Sequence, residues 1–238
     1  MENTFVKYAD LLTITDYNKE MNKEKFEFLP VDDELVIGKY QEKCNMLNYG
    51  DKIPVRKTVY NKLKSIGQKL KSINCNYRLF VVYGFRALEI QTQYFNEIIE
   101  TIKGSFNDEI EMYEYVHERV AVPNVAGHPT GGAVDVTIFN NDTNEFLDFG
   151  SQVLDWNDER RYYISKGISD DARVNRKLLR ELMLVEEFAP FDGEWWHFSY
   201  GDKEWAFYYK YKQALYNQAS ASEAYSKVFA ENNLMIKI

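Results

Sequence analysis

The chain has 238 residues, 45% of them apolar and 16% aromatic, which is ample for a packed core and unlike a disordered sequence. Its formal net charge is −8 at pH 7 and its Lys and Arg residues are scattered, so no concentrated basic face exists for phosphate and a nucleic-acid partner is not expected. No stretch is long and apolar enough to cross a bilayer, and Met1 to Lys7 has neither the basic start nor the apolar core of an export signal, so a cytoplasmic protein is expected.

Residues 1–53 mix short apolar runs with Asp, Asn and Gly breaks and have no clear period; they read as irregular structure wrapped on the core. From Pro54 the apolar positions Val55, Val59, Leu63, Ile66 and Leu70 recur at helical spacing, which predicts an amphipathic helix with Pro54 in its first turn. Leu79 to Tyr83 reads as a buried strand ended by Gly84, and Ala87 to Lys103 as a second helix with Gly104 as its stop. Arg86 therefore falls at a strand-to-helix junction, where a side chain projects from a rigid sheet edge. His117, in Glu114-Tyr115-Val116-His117-Glu118-Arg119, is assigned to a solvated helix.

In Ala133 to Phe139, Val134, Val136 and Ile138 alternate with Asp135 and Thr137, the pattern of a strand with one face on the core and Asp135 on the other. Gly131-Gly132 allows the tight approach that brings His128, on the preceding loop, back toward Asp135. A third helix is expected from about Ala172 to Glu187. Trp195 to Tyr200, a Gly201-Asp202 turn and Trp205 to Tyr209 read as a β-hairpin whose large aromatics pack in the core. Cys44 and Cys75 lack C-x-x-C spacing and read as free thiols.

Two short segments carry the chemistry: Gly127-His128-Pro129-Thr130-Gly131-Gly132-Ala133-Val134-Asp135 and Glu194-Trp195-Trp196-His197. Together they supply two imidazoles, one carboxylate and a spare glutamate, the inventory of a catalytic zinc site with its own general base. Three protein ligands leave a tetrahedral ion one open position, whereas a structural zinc is closed by four. Any one of these residues alone is an ordinary polar side chain. The chain has three histidines, however, and two of them fall in these segments. Nitrogen and oxygen donors suit Zn²⁺, while a softer metal would call for thiolates.

The H-x6-D segment, the later E-W-W-H and the upstream Tyr83-Gly84-Phe85-Arg86 resemble, in that order, the VanX-type D-alanyl-D-alanine dipeptidases of the M15 zinc peptidases. Val55-Arg56-Lys57-Thr58-Val59-Tyr60 and Leu147-Asp148-Phe149-Gly150-Ser151 also resemble family segments, so the likeness runs from about Pro54 to Tyr209. The resemblance implies an α+β fold in one domain, a mainly antiparallel sheet flanked by helices, with the core in residues 54–210. It implies one zinc per chain held by His128, Asp135 and His197, with Glu194 as general base and acid. It also implies that Arg86 stabilises the charge that grows on the attacked carbonyl. Because an i, i+3 pair on a strand points to opposite faces, Glu194 is placed at the bend after Gly193, with the strand starting later.

Three positions depart from the family pattern. Ala87 stands where Pro usually follows the arginine, and Ala126 where Ser is common two residues before the first ligand. The acidic residue that would hold the substrate's amino group falls at Asp155 only with one residue inserted, and Asp148 competes for that role. The expected reaction is hydrolysis of a small dipeptide of cell-wall chemistry, D-Ala-D-Ala. Alternatives are a D,D-carboxypeptidase acting on longer peptidoglycan stems, and a zinc-binding module without catalysis.

Overall fold

The computed structural model describes residues 5–42 and 44–226. A short helix α1 (Tyr8–Leu12) precedes strands β1 (Phe26–Phe28) and β2 (Val36–Gly38); β3 (Pro54–Arg56) then runs directly into α2 (Lys57–Ile73). Next come β4 (Tyr77–Tyr83), α3 (Leu88–Ile102), α4 (Glu109–His117), β5 (Ala133–Asn140), β6 (Glu145–Phe146) and α5 (Asp170–Val185). The described chain closes with β7 (Ala189–Pro190), β8 (His197–Ser199), α6 (Lys203–Tyr208) and α7 (Ala221–Ala224).

Strands β2, β4, β5, β8 and β7 form one sheet in that order, with β6 also paired to β5. Only the β2–β4 pairing is parallel; the others are antiparallel. This is the mainly antiparallel α+β fold that the resemblance implies. Helix α2 packs on β4 through Val59, Leu63, Ile66 and Leu70, all fully buried, which is the stripe its sequence period marks. The alternation in β5 also holds: Val134, Val136 and Ile138 enter the main core, while Asp135 and Thr137 face the other way and are themselves 1% and 3% exposed. Both faces of this central strand are therefore covered. A smaller apolar cluster of Tyr8, Leu11, Phe95, Val116, Val122 and Val125 joins α1, α3 and α4 beside the sheet.

Three expectations need correction. The helix does not begin at Pro54: residues Pro54–Arg56 pair antiparallel with β1, Val55 opposite Glu27, and the helix starts at Lys57. Val55 keeps the helical spacing to Val59, but its strand partner Glu27, far upstream, outweighs it, and proline is tolerated in a strand pair of this kind because it sits at an edge. Likewise, residues 1–53 are not merely a wrap, since they supply β1 to this pair and β2 to the edge of the main sheet. Trp205 to Tyr209 does not form a strand either. Asp202 accepts a hydrogen bond from the Trp205 N–H at 2.9 Å and caps α6, so the residue read as a turn is a helix start. The partners of β8 are β5 and β7.

The aromatics do pack as expected. Trp196 is fully buried, and Trp195 stacks on Phe149 at a centroid distance of 4.3 Å. Among the described residues no helix is long and apolar enough to cross a membrane. Met1 to Thr4, on which the export-signal reading partly rests, lie outside those residues.

The loop before β5 is locked at the sheet end. Gly131 has φ 75°, a conformation that favours glycine. The Gly132 carbonyl accepts from the Tyr200 N–H at 3.1 Å, and a Cβ on Gly132 would lie 2.2 Å from the Tyr200 carbonyl oxygen. That neighbour is backbone at the residue just past β8, held by its hydrogen bond to Gly132, and cannot rotate away. Gly132→Ala is therefore expected to destabilise the fold by about 1–3 kcal/mol, the range for overpacking. The check is a denaturant titration, in which the midpoint falls while the slope stays constant.

Candidate active site

The register of the sheet builds the centre. Tyr83 on β4, Asp135 on β5 and His197 on β8 are Cα partners across three adjacent strands. Residues directly opposite on antiparallel strands project from the same face, so Asp135 and His197 are brought side by side. The gap is 2.9 Å between Asp135 Oδ1 and His197 Nδ1. His128 reaches the same carboxylate from a single 3₁₀ turn, His128–Thr130, with its Nε2 3.3 Å from Asp135 Oδ2. One donor atom from each of the three residues lies within 4.8 Å of the others.

The tautomer of His128 follows from its surroundings. Its Nδ1 lies 2.7 Å from the Gly84 carbonyl, which can only accept, so Nδ1 carries the proton and Nε2 offers its lone pair to the cluster. Two imidazole nitrogens and a carboxylate oxygen at this spacing are the donor set of a three-ligand zinc site. Without an ion the cluster is already polarised. Burial pushes the Asp135 carboxyl up, but the His128 and His197 imidazoles beside it hold it well below the usual range. Burial lowers His128, whereas Asp135 and Glu204 outweigh burial at His197 and raise it.

Glu194 sits between two turns, with its strand beginning at His197, as the spacing argument requires. It is 8% exposed, and the Trp156 indole N–H donates to its Oε1 at 2.9 Å. Burial, together with the negative charge of Asp135, pushes its carboxyl up to about 7. Arg161 fixes the approach to this bend by donating to the Gly193 carbonyl at 2.7 Å, and its own carbonyl accepts from the Trp195 N–H at 2.9 Å.

Arg86 occupies the junction between β4 and α3 and is 7% exposed. Its backbone N–H donates to the His128 carbonyl at 3.3 Å, which ties the junction to the turn that carries His128. Its Nη1 donates to Gln91 Oε1 at 2.9 Å, and the guanidinium lies over the Tyr83 ring at 4.4 Å. The buried Nε has no hydrogen-bond partner. A guanidinium held on one side with a donor to spare is suited to a charge that appears only during reaction.

These residues line one cavity of 580 Å³ that includes His128, Asp135, His197, Glu194 and Arg86. Asp155 and Asp148 do not line it. The Asp148 carboxylate accepts from the Gly150 N–H and the Ser169 hydroxyl, which organises the start of α5. Asp155 Oδ1 accepts from the Asn157 N–H, although its neighbours Leu154 and Trp156 do reach the cavity. His117 does end a helix, but it is not solvated: its Nδ1 accepts from the Val122 N–H at 3.3 Å and the side chain borders the cavity. Burial lowers its pKa.

Sequence reasoning missed the roles of Gln91, Trp156 and Glu204. Gln91 carried a usable signal, since it is a polar residue at 1% exposure on the otherwise apolar stripe of α3. Trp156 and Glu204 carry none, because Trp156 meets Glu194 across a long stretch of chain and Glu204 reaches His197 from a helix whose aromatic alternation suggests a strand.

Residues 55–221 match the family model of the M15 peptidases described as D-ala-D-ala dipeptidase, and the chain belongs to this family. It is 33% identical over 101 residues to a D-alanyl-D-alanine dipeptidase of Enterococcus faecium, a match covering 42% of this chain and 49% of that protein. A D-alanyl-D-alanine dipeptidase of Synechocystis sp. is 27% identical over 179 residues, covering 65% of this chain and 72% of that one. The chain thus spans about half the length of the Enterococcus relative. Among solved structures, the LdcB LD-carboxypeptidase aligns at a TM-score of 0.45 and 19% identity over 98% of this chain and 90% of that one. A vancomycin resistance D,D-pentapeptidase VanY in complex with Zn(II) aligns at 0.39 and 17% identity over 87% and 96%.

If the three donors hold an ion, zinc at a hundredfold excess over its dissociation constant should raise the unfolding free energy by about 2.7 kcal/mol. Asp135→Ala should show no such rise in a thermal melt. An equal rise in both proteins would place the ion elsewhere.

Proposed function

We propose that this member of the M15 D-Ala-D-Ala dipeptidase family hydrolyses a small dipeptide, D-Ala-D-Ala, using one Zn²⁺ held by His128 Nε2, an Asp135 carboxylate oxygen and His197 Nδ1. One observation carries the reading: the three donors, a buried glutamate and a buried arginine with a free donor all face a single cavity. The donor chemistry fits the ion, being two borderline nitrogens and a hard oxygen with no thiolate. When bound, zinc supplies Lewis acidity, which polarises the scissile carbonyl and makes water a nucleophile at neutral pH.

The protein's own residues do the rest. Glu194 takes the proton of the attacking water and returns it to the departing amine. Trp156 holds Oε1, which leaves Oε2 to carry that proton. A carboxyl pushed up to about 7 by burial can both accept and release a proton near neutrality. A dication nearby draws that value down, so that the cycle starts from the ionised form. Arg86 stabilises the negative charge growing on the carbonyl oxygen, and Gln91 keeps the guanidinium turned toward it.

A second reading, a carboxypeptidase acting on longer peptides, is favoured by the extent of the cavity. Its lining continues to Val6, Leu11, Ile98 and Val120, an apolar lobe that two alanines do not require. Faster cleavage of a pentapeptide stem than of the dipeptide would select it. A non-catalytic zinc module is opposed by Glu194 and Arg86, since neither is needed to hold an ion.

Zinc-loaded protein is expected to release free amine from D-Ala-D-Ala, and Glu194→Ala to abolish that release while retaining the metal. A zinc-replete Glu194→Ala protein that kept most of its turnover would remove the base assignment. Arg86→Ala should bind zinc normally and lose about 10²–10³ in kcat. Steady-state kinetics on protein of measured zinc content checks this, and unchanged kinetics would dismiss the role.

A further inference from the structure

We infer that Glu204 is a positioning residue for the metal centre: its largely buried carboxylate serves the Nε2–H of His197 and so commits Nδ1 of that ring to the ion. The inference rests on the zinc reading above.

The two histidines present opposite nitrogens to the cluster. His128 gives Nε2, because its Nδ1–H is taken by the Gly84 carbonyl at 2.7 Å. His197 turns Nδ1 toward Asp135 at 2.9 Å, so its Nε2 points away from the cluster. A neutral imidazole has one proton. For Nδ1 to offer a lone pair, that proton must stay on Nε2, and Nε2–H then needs an acceptor. Glu204 Oε2 lies 3.6 Å from it, and Ser199 Oγ lies 3.5 Å from the same nitrogen and 3.4 Å from Glu204 Oε2. These three groups form a triangle on the far side of the ring from Asp135.

The carboxylate itself is informative. The Glu204 side chain is 14% exposed, and its buried Oε1 has no hydrogen-bond partner. A largely buried carboxylate with one oxygen unpartnered is costly unless a positive or strongly polarised donor faces it. An imidazole that donates from one nitrogen while the other binds a cation is such a donor, and a carboxylate behind a ligand histidine fixes both its tautomer and its ring angle. Glu204 stands in the first turn of α6, which Asp202 caps. The position of the acceptor is therefore set by a helix separated from the end of β8 by only three residues, Tyr200 to Asp202.

The test compares zinc dissociation constants, by chelator competition, for the wild-type chain, Glu204→Met and Glu204→Gln. Glu204→Met is also made in a His197→Ala background, and thermal melts of all metal-free forms are recorded. Glu204→Met is expected to weaken zinc binding by about 10–100-fold, and Glu204→Gln, which keeps a carbonyl acceptor, to recover most of the loss. In the His197→Ala background, Glu204→Met should cost nothing further, because the carboxylate acts through that ring. In the zinc-loaded wild type, the His197 Nε2–H should give an imidazole proton resonance protected from exchange, which Glu204→Met removes.

Wild-type zinc affinity in Glu204→Met would overturn this inference alone. So would an undiminished loss in the His197→Ala background, which would make Glu204 a distant charge. Failure of the wild-type chain to bind zinc would overturn the zinc reading itself, and this inference with it.

Discussion

Across β4, β5 and β8, Tyr83, Asp135 and His197 stand opposite one another, and the rest of the centre depends on that pairing. Side chains on a strand alternate faces, so a slip of one residue between β5 and β8 would turn either His197 toward the apolar core or Val134 and Val136 toward the cavity. The fully buried Val134, Val136 and Ile138 oppose such a slip. Hydrophobic burial on one face of β5 thus holds the register of the polar groups on the other. The same strand end receives His128, whose ring bonds to Gly84, and Arg86, whose backbone bonds to His128.

Holding ionisable groups together in a buried place requires the surrounding backbone to be rigid, and Arg56 supplies much of that rigidity. It is 3% exposed, and its guanidinium donates to the Thr130 carbonyl at 2.8 Å and to the Asn22 and Glu24 carbonyls at 2.9 and 2.8 Å. It also lies over the Phe26 ring at 4.4 Å and the Tyr216 ring at 4.9 Å. One side chain therefore ties the turn that carries His128 to an N-terminal segment and to the chain after α6. A guanidinium suits this task because its donors fan out in a plane and can satisfy several carbonyls at once. This gives physical content to the family-like Val55-Arg56-Lys57 segment, which contributes no group to the cavity.

What the sequence made legible follows the range of the forces involved. The apolar stripe of α2, the alternation in β5 and the bend at Glu194 are local patterns, and each appears where its period or spacing puts it. His128, Asp135 and His197 could be brought together because two short segments carry all three. The errors are contests between local and distant partners. Val55 continued a helical period yet pairs with Glu27, and Asp202 resembled a hairpin turn yet caps a helix. Asp148 and Asp155 were candidates by position along the chain, but local hydrogen bonds to Gly150, Ser169 and Asn157 occupy them. No local pattern could report that His117, on a polar helix, packs against the Val122 amide.

The supports around the centre differ in kind, and the difference matters for its chemistry. His128 is braced by a backbone carbonyl, a partner without formal charge that no side-chain substitution removes. His197 is braced by groups that carry or share charge, Glu204 and Ser199. A dication held by both rings would draw negative charge toward it, and the site offers that charge unevenly, with Asp135 in the centre and Glu204 behind His197 only. Arg86 and Glu194 also line the cavity, one of them always positive and the other a carboxyl that burial pushes up. In the proposed reaction, the Arg86 guanidinium would meet the carbonyl oxygen as it becomes negative, and Glu194, held at Oε1 by Trp156, would take the proton released by water. Both groups are buried and held by fixed partners, Gln91 and Trp156, so the proposed reaction would need little reorganisation of either.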